Sequence, residues 1–177
     1  MRIAALDLSK RSAGFAAWSP EDSTVASGCW ALGSEFSSNG RTFANLHARL
    51  SELNSLGKID ALYWERPLNL GPSAGNTNID TIEVLMGLAA HAESWGEAMG
   101  CRIVKAVNMV TWRREFLGRM KRGTRSTQLK EMSMERCRQL GFKPMKHDQA
   151  EAIGILDWAC TELDIIPYWR LPLGRAA

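Results

Sequence analysis

Residues 2–18 read Arg2-Ile3-Ala4-Ala5-Leu6-Asp7-Leu8-Ser9-Lys10-Arg11-Ser12-Ala13-Gly14-Phe15-Ala16-Ala17-Trp18, and the fold turns on this stretch. Residues 2–8 form a short apolar strand interrupted by one charge. A carboxylate inside such a strand is costly to desolvate unless something cationic meets it. Ser9 to Ser12 make a turn, and residues 14–18 give a second strand. Ser19-Pro20-Glu21-Asp22 is the next turn, and residues 25–32 a third strand. Three strands in close succession with tight turns imply an antiparallel meander.

Beyond the meander the period changes. Phe43, Leu46, Leu50 and Leu53 recur at three- and four-residue spacing, which predicts a helix over 41–56. A strand over 59–65 ends at Pro67, and the polar, Gly/Pro-rich segment 69–76 reads as a mobile loop. A helix over 78–99 follows, kept smooth for close packing by Gly87, Ala89 and Ala90. A strand over 101–107 leads to a short helix near 110–117. The segment 118–125 has two glycines and no apolar period, so it is expected as an exposed loop, with Ser126 capping a helix to about 140. The last helix is expected over 148–163, before a Pro-containing tail. This order describes an α/β fold: a five-stranded mixed sheet, three antiparallel strands and then two parallel ones, with helices on both faces.

At 177 residues, 45% apolar and 23% charged, the chain is long enough to bury a full core as one domain. It holds no run of about 18 apolar residues, and the start lacks the pattern of a signal peptide, so a cytoplasmic protein that does not cross a membrane is expected. Cys29, Cys101, Cys137 and Cys160 form no C-x-x-C pair and read as buried free thiols. The net charge of +3 hides an asymmetry. Residues 102–146 carry 13 Lys/Arg against Glu115, Glu131 and Glu135, while the remainder holds 9 basic and 16 acidic residues. A basic segment beside an acidic remainder suits a metalloenzyme that binds a polyanion, although a solvated helical face gives the same count.

Two further acidic points share the oddity of Asp7. Glu65 ends the apolar strand Ile59-Asp60-Ala61-Leu62-Tyr63-Trp64-Glu65, and Asp148 with Glu151 opens the apolar last helix. Asp7 falls on the strand face of Ile3 and Ala5, and Glu65 on that of Ala61 and Tyr63. Positions 148 and 151 lie on one side of a helix. Each also has a plainer explanation. Asp7 fits a solvated strand end, Glu65 a surface ion pair with Arg66 or Lys58, and Asp148 with Glu151 a capping box. Taken together, four carboxylates that meet at one point repel strongly without cations between them. Oxygen ligands of this kind suit Mg²⁺ or Mn²⁺, and paired cations roughly 4 Å apart can hydrolyse a phosphodiester.

The segment Asp7-Leu8-Ser9-Lys10-Arg11-Ser12-Ala13-Gly14 resembles the first-strand motif of the RuvC-like Holliday junction resolvases, within the ribonuclease H-like superfamily. Trp64-Glu65-Arg66-Pro67 is similar to the strand-four motif in its Glu-x-Pro form, associated with phage-type members. His147-Asp148-Gln149-Ala150-Glu151-Ala152-Ile153-Gly154 is similar to the family's final Asp-x-Ala-Asp-Ala helix. The resemblance runs through nearly the whole chain and implies one nuclease domain over 1–165, with a tail over 166–177. It implies that Asp7, Glu65, Asp148 and Glu151 bind two Mg²⁺ ions, with Mn²⁺ able to substitute, and position the attacking water. The implied partner is branched DNA, nicked in pairs by a homodimer whose surface comes largely from the helix after Glu65. There are departures. The usual Asp-Pro-Gly start is Asp7-Leu8-Ser9 here, the final Asp is Glu151, and the position of an aromatic wedge holds Leu68, read here as a loop anchor.

Arg119, Lys121, Arg122 and Arg125 in the exposed loop are candidate phosphate contacts, sequence-independent and salt-sensitive. Lys130 falls near the position of a lysine that assists catalysis in the family. Trp112-Arg113-Arg114 reads as a core Trp with solvated arginines, His147 as a neighbour of the acids, and His47 and His91 carry no role. Ribonuclease H-type cleavage of RNA–DNA hybrids or flaps, and an inactive branched-DNA-binding module, are competing readings. An actin-like kinase needs two such domains and is set aside; no glycine-rich P-loop is present.

Overall fold

The computed structural model describes residues 1–67 and 79–171; Leu68 and the expected loop over 69–76 lie outside the described residues. Five strands form one sheet: β1 Ile3–Asp7, β2 Ala13–Trp18, β3 Ala26–Trp30, β4 Ala61–Glu65 and β5 Ile103–Val107. Their order is β3-β2-β1-β4-β5. β1 to β3 pair antiparallel, whereas β4 runs parallel to both β1 and β5. The helices are α1 Asn39–Ser55, α2 Ile79–Ala98, α3 Met109–Leu117, α4 Ser126–Gln139 and α5 His147–Glu162. The expected α/β architecture of five mixed strands is the one observed.

β1 is central and covered on both faces, which is why Ile3 to Leu6 form a continuous apolar run rather than an alternation. Ile3 and Ala5, with Ala61 and Tyr63 of β4, face α5, Trp112 and Phe116 of α3, and Met134 and Cys137 of α4. Ala4, Leu6, Leu62 and Trp64 face the other way, onto α1 and α2. Residues 150–160 of α5 are all buried, so this helix lies within the core, apolar but for Glu151 and Asp157. α1 and α2 approach closely where the ring of Phe43 fills the space a side chain at Gly87 would take. Beside it, His91 Nδ1 lies 3.0 Å from His47 Nε2. Ala90 is exposed and adds nothing to that contact.

Three local expectations need correction. Ser126 does not cap α4. Arg125 holds the cap position, with its backbone N–H donating to Gln128 Oε1 at 3.0 Å, and Ser126 begins the helix. All four cysteines are free, but only Cys137 and Cys160 are fully buried; Cys29 and Cys101 are half-buried. The segment after α5 is not all tail, because a 3-10 turn over Tyr168–Arg170 returns to the core. There Trp169 Nε1 and Arg170 Nε each donate to the buried Asp157 carboxylate at 2.8 Å. Among the described residues no helix is long and apolar enough to cross a membrane.

Candidate metal centre

Asp7 is the last residue of β1 and Glu65 the last of β4. The parallel register pairs Ile3 with Ala61 and Leu6 with Trp64, so the same offset sets Asp7 level with Glu65 at one end of the sheet. Strand neighbours lie about 4.8 Å apart, and both side chains leave on the α5 face.

Helix α5 arrives at that end because of Gly14. Asp7 is paired with Gly14 across the β1–β2 ladder. A methyl group at Gly14 would run into the backbone carbonyl of Asp148, with Gln149 N 3.0 Å away. The missing side chain lets the first turn of α5 rest on the strand beside Asp7. The helix begins at His147 after Lys146, which caps it without a side-chain hydrogen bond. Asp148 is therefore not the N-cap, and the capping-box explanation of Asp148 and Glu151 fails. Their side chains are left for the site.

Carboxylate oxygens of Asp7, Asp148 and Glu151 all lie within 4.8 Å of one another. Three oxygen donors at that spacing, with no sulfur or imidazole among them, could hold a hard divalent cation. Glu65 stands just outside this triad. Its Oε2 accepts a 2.8 Å hydrogen bond from Trp112 Nε1 and lies 3.8 Å from Arg113 Nη2. The same Arg113 nitrogen donates to Glu151 Oε1. On the other side, Lys130 Nζ is 3.7 Å from Asp148 Oδ1. The four expected acids thus converge, and two cations come with them.

Crowded carboxylates resist ionisation. Burial holds the Asp7 carboxyl well above its usual range, and the charges of Glu151, Glu65 and Asp148 push it further, with Lys130 opposing. Burial also raises Glu65, against the pull of Arg113 and the Trp112 N–H. A divalent cation drawn into such a cluster would favour the ionised carboxylates.

No protein-family model matches the sequence, and no curated protein is similar to it at the sequence level. Solved structures do match. The structure of Thermus thermophilus RuvC in complex with a Holliday junction substrate superposes with a TM-score of 0.64 at 14% identity, covering 88% of this chain and 90% of that one. A second Thermus thermophilus RuvC structure gives 0.61 at 14% identity, over 93% and 97%. The chain has the RuvC fold. At this identity the fold is what the two share.

On this RuvC fold, α3 and α4 flank the acids, and the loop joining them carries Arg119, Lys121, Arg122 and Arg125, all exposed. Gly118 and Gly123 turn that loop at φ of 80° and 84°, values a side chain rarely adopts. A cleft of about 320 Å³ among the described residues is lined by the four acids together with Ile82, Leu85, Met86 and Met109. His147 Nε2 lies 3.4 Å from Glu131 Oε1.

Arg113 is the residue the sequence reading misplaced. It is 6% exposed rather than solvated, while Arg114 is exposed as expected. A signal existed: Arg113 stands three before Phe116 and beside Trp112, on the inward stripe of α3. A cation on such a stripe has to meet a carboxylate.

Proposed function

We propose that this chain is a divalent-cation-dependent endonuclease of the RuvC type, phage or prophage in character, that resolves four-way or other branched DNA junctions as a cytoplasmic homodimer, with residues 1–165, closed by the turn over Tyr168–Arg170, as its nuclease domain. The observation that carries the proposal is the meeting of Asp7, Asp148 and Glu151 within 4.8 Å, with Glu65 beside them. Supporting it, one structural neighbour is described as a complex with a Holliday junction substrate.

In this reading Asp7, Asp148 and Glu151 hold the cation, and Glu65 lies against the same cluster. A divalent ion bound there supplies an activated water and charge stabilisation for the leaving oxygen of a phosphodiester. Lys130, beside Asp148, faces the developing negative charge. Arg119, Lys121, Arg122 and Arg125 hold flanking phosphates without reading bases.

The test is a labelled four-way junction against matched linear duplex, titrated with Mg²⁺. Symmetrical nicks that vanish in Asp7→Asn are expected. A pure wild-type protein that cuts no junction at any Mg²⁺ concentration would sink the proposal, and cleavage confined to RNA–DNA hybrids or flaps would reassign the substrate.

A further inference from the structure

We propose that Arg113 is a built-in cation of the site, so that one exchangeable divalent ion, held by Asp7, Asp148 and Glu151, completes it. The inference rests on the cation-dependent reading above and narrows the two ions expected from the sequence to one.

The argument begins with position. An ion shared between Glu65 and Glu151 would need oxygens of both at about 2.1 Å. Arg113 Nη2 stands in that interval, donating to Glu151 Oε1 with Glu65 Oε2 3.8 Å away. It is not a surface side chain that swings aside at little cost. Arg113 is 6% exposed and lies 5.0 Å from the Trp112 ring, whose indole N–H in turn fixes Glu65. A guanidinium does not lose its proton in a protein, so its charge is permanent. Moving it would leave Glu151, 2% exposed, without its ion pair.

Charge gives a second, independent line. With all four ionised, the carboxylates of Asp7, Glu65, Asp148 and Glu151 are faced within 4 Å, among the described residues, by Arg113 and Lys130, a formal balance of −2 at that range. One divalent ion neutralises that balance, whereas two would leave an excess of +2. Among the described residues, the buried Nε of Arg113 has no hydrogen-bond partner. That is a cost the protein carries to keep the group in place.

The test counts ions on the full-length protein without DNA, by the electron paramagnetic resonance signal of free Mn²⁺, with Mg²⁺ as competitor. Wild type is expected to take up one Mn²⁺ per chain. Arg113→Met is expected to take up two, the second bound roughly 100-fold more tightly than any second ion in wild type, with the broadened signal of a coupled Mn²⁺ pair. Arg113→Lys keeps a charge and is expected to stay at one. Two ions of comparable affinity in wild type, two in Arg113→Lys, or one in Arg113→Met would each overturn the proposal. Arg113→Met leaves Glu151 unpaired; should it fail to fold, the wild-type and Arg113→Lys counts decide. A wild type that binds one Mn²⁺ yet cuts no DNA would remove the nuclease reading and leave this one standing.

Discussion

At the scale of single residues, Asp7 trades stability for chemistry. Its folded pKa is raised, so the folded protein favours the neutral acid. The penalty is absent below the ordinary carboxylate range and grows as pH rises from there through the folded value. Asp7→Asn removes it. The variant is expected to melt higher than wild type at pH 7 without divalent ions, by about 2–4 °C for each kcal/mol of repulsion removed. The gap should close as pH falls toward 4. Mg²⁺ should raise the wild-type midpoint and leave Asp7→Asn nearly unmoved. A lower melting point for Asp7→Asn at pH 7 would mean that the carboxylate is a stabilising partner instead. The acids were legible because a charge in an apolar strand has few excuses. Arg113 was not, because a long side chain can bury its stem and still send its charge to water. Trp112-Arg113-Arg114 alone leaves the choice of arginine open; the three-residue spacing from Arg113 to Phe116, and the packing of Trp112 and Phe116 under α5, turn Arg113 inward.

At the scale of elements, the site depends on how α5 and α3 dock. Gly14 is a contact glycine rather than a turn glycine, since its absent side chain is what lets Asp148 approach Asp7. Gly14→Ala is expected to push the first turn of α5 outward. It should cost about 1–3 kcal/mol of stability, as overpacking does, and weaken Mn²⁺ binding. Unchanged metal affinity in a folded Gly14→Ala protein would show that α5 does not need this contact. Helix α3 offers a finer probe. Trp112→Phe keeps a ring in the core but deletes the 2.8 Å hydrogen bond to Glu65 Oε2. A bond to a charged acceptor contributes about 1.5–3 kcal/mol. The variant should lose stability in that range where Glu65 is ionised, and less in acid, where Glu65 is neutral; chemical denaturation at two pH values checks it. Strands and helices were readable from period and turn residues. The starts of α4 and α5 were not, because Ser126 and Asp148 are both good capping residues by type and the caps fell one and two residues earlier.

At the scale of the whole molecule, the acids and the basic segment occupy different stretches of sequence, and Arg113 and Lys130 bring that segment to the acids. The order of elements along the chain was enough to give the sheet, because a meander followed by two strand–helix units has few ways to close. The return of Trp169 to Asp157 was beyond it, as three residues in a Pro-containing segment carry no period. The charge asymmetry acquires a geometry through α3 and α4: the helices that carry Arg113 and Lys130 to the acids are tied by the loop bearing Arg119, Lys121, Arg122 and Arg125. If this loop grips the DNA backbone, its charges act by releasing counterions from phosphates, each contact adding about 0.9 to the slope of log affinity against log salt. Replacing Arg119, Lys121, Arg122 and Arg125 with Gln is therefore expected to lower junction and duplex affinity alike. The salt slope should fall by up to about 4, and Mn²⁺ uptake and melting temperature should stay unchanged. Fluorescence anisotropy from 50 to 300 mM salt measures the slope. A variant that loses affinity for junctions alone, at an unchanged slope, would instead give the loop a part in recognising branch shape.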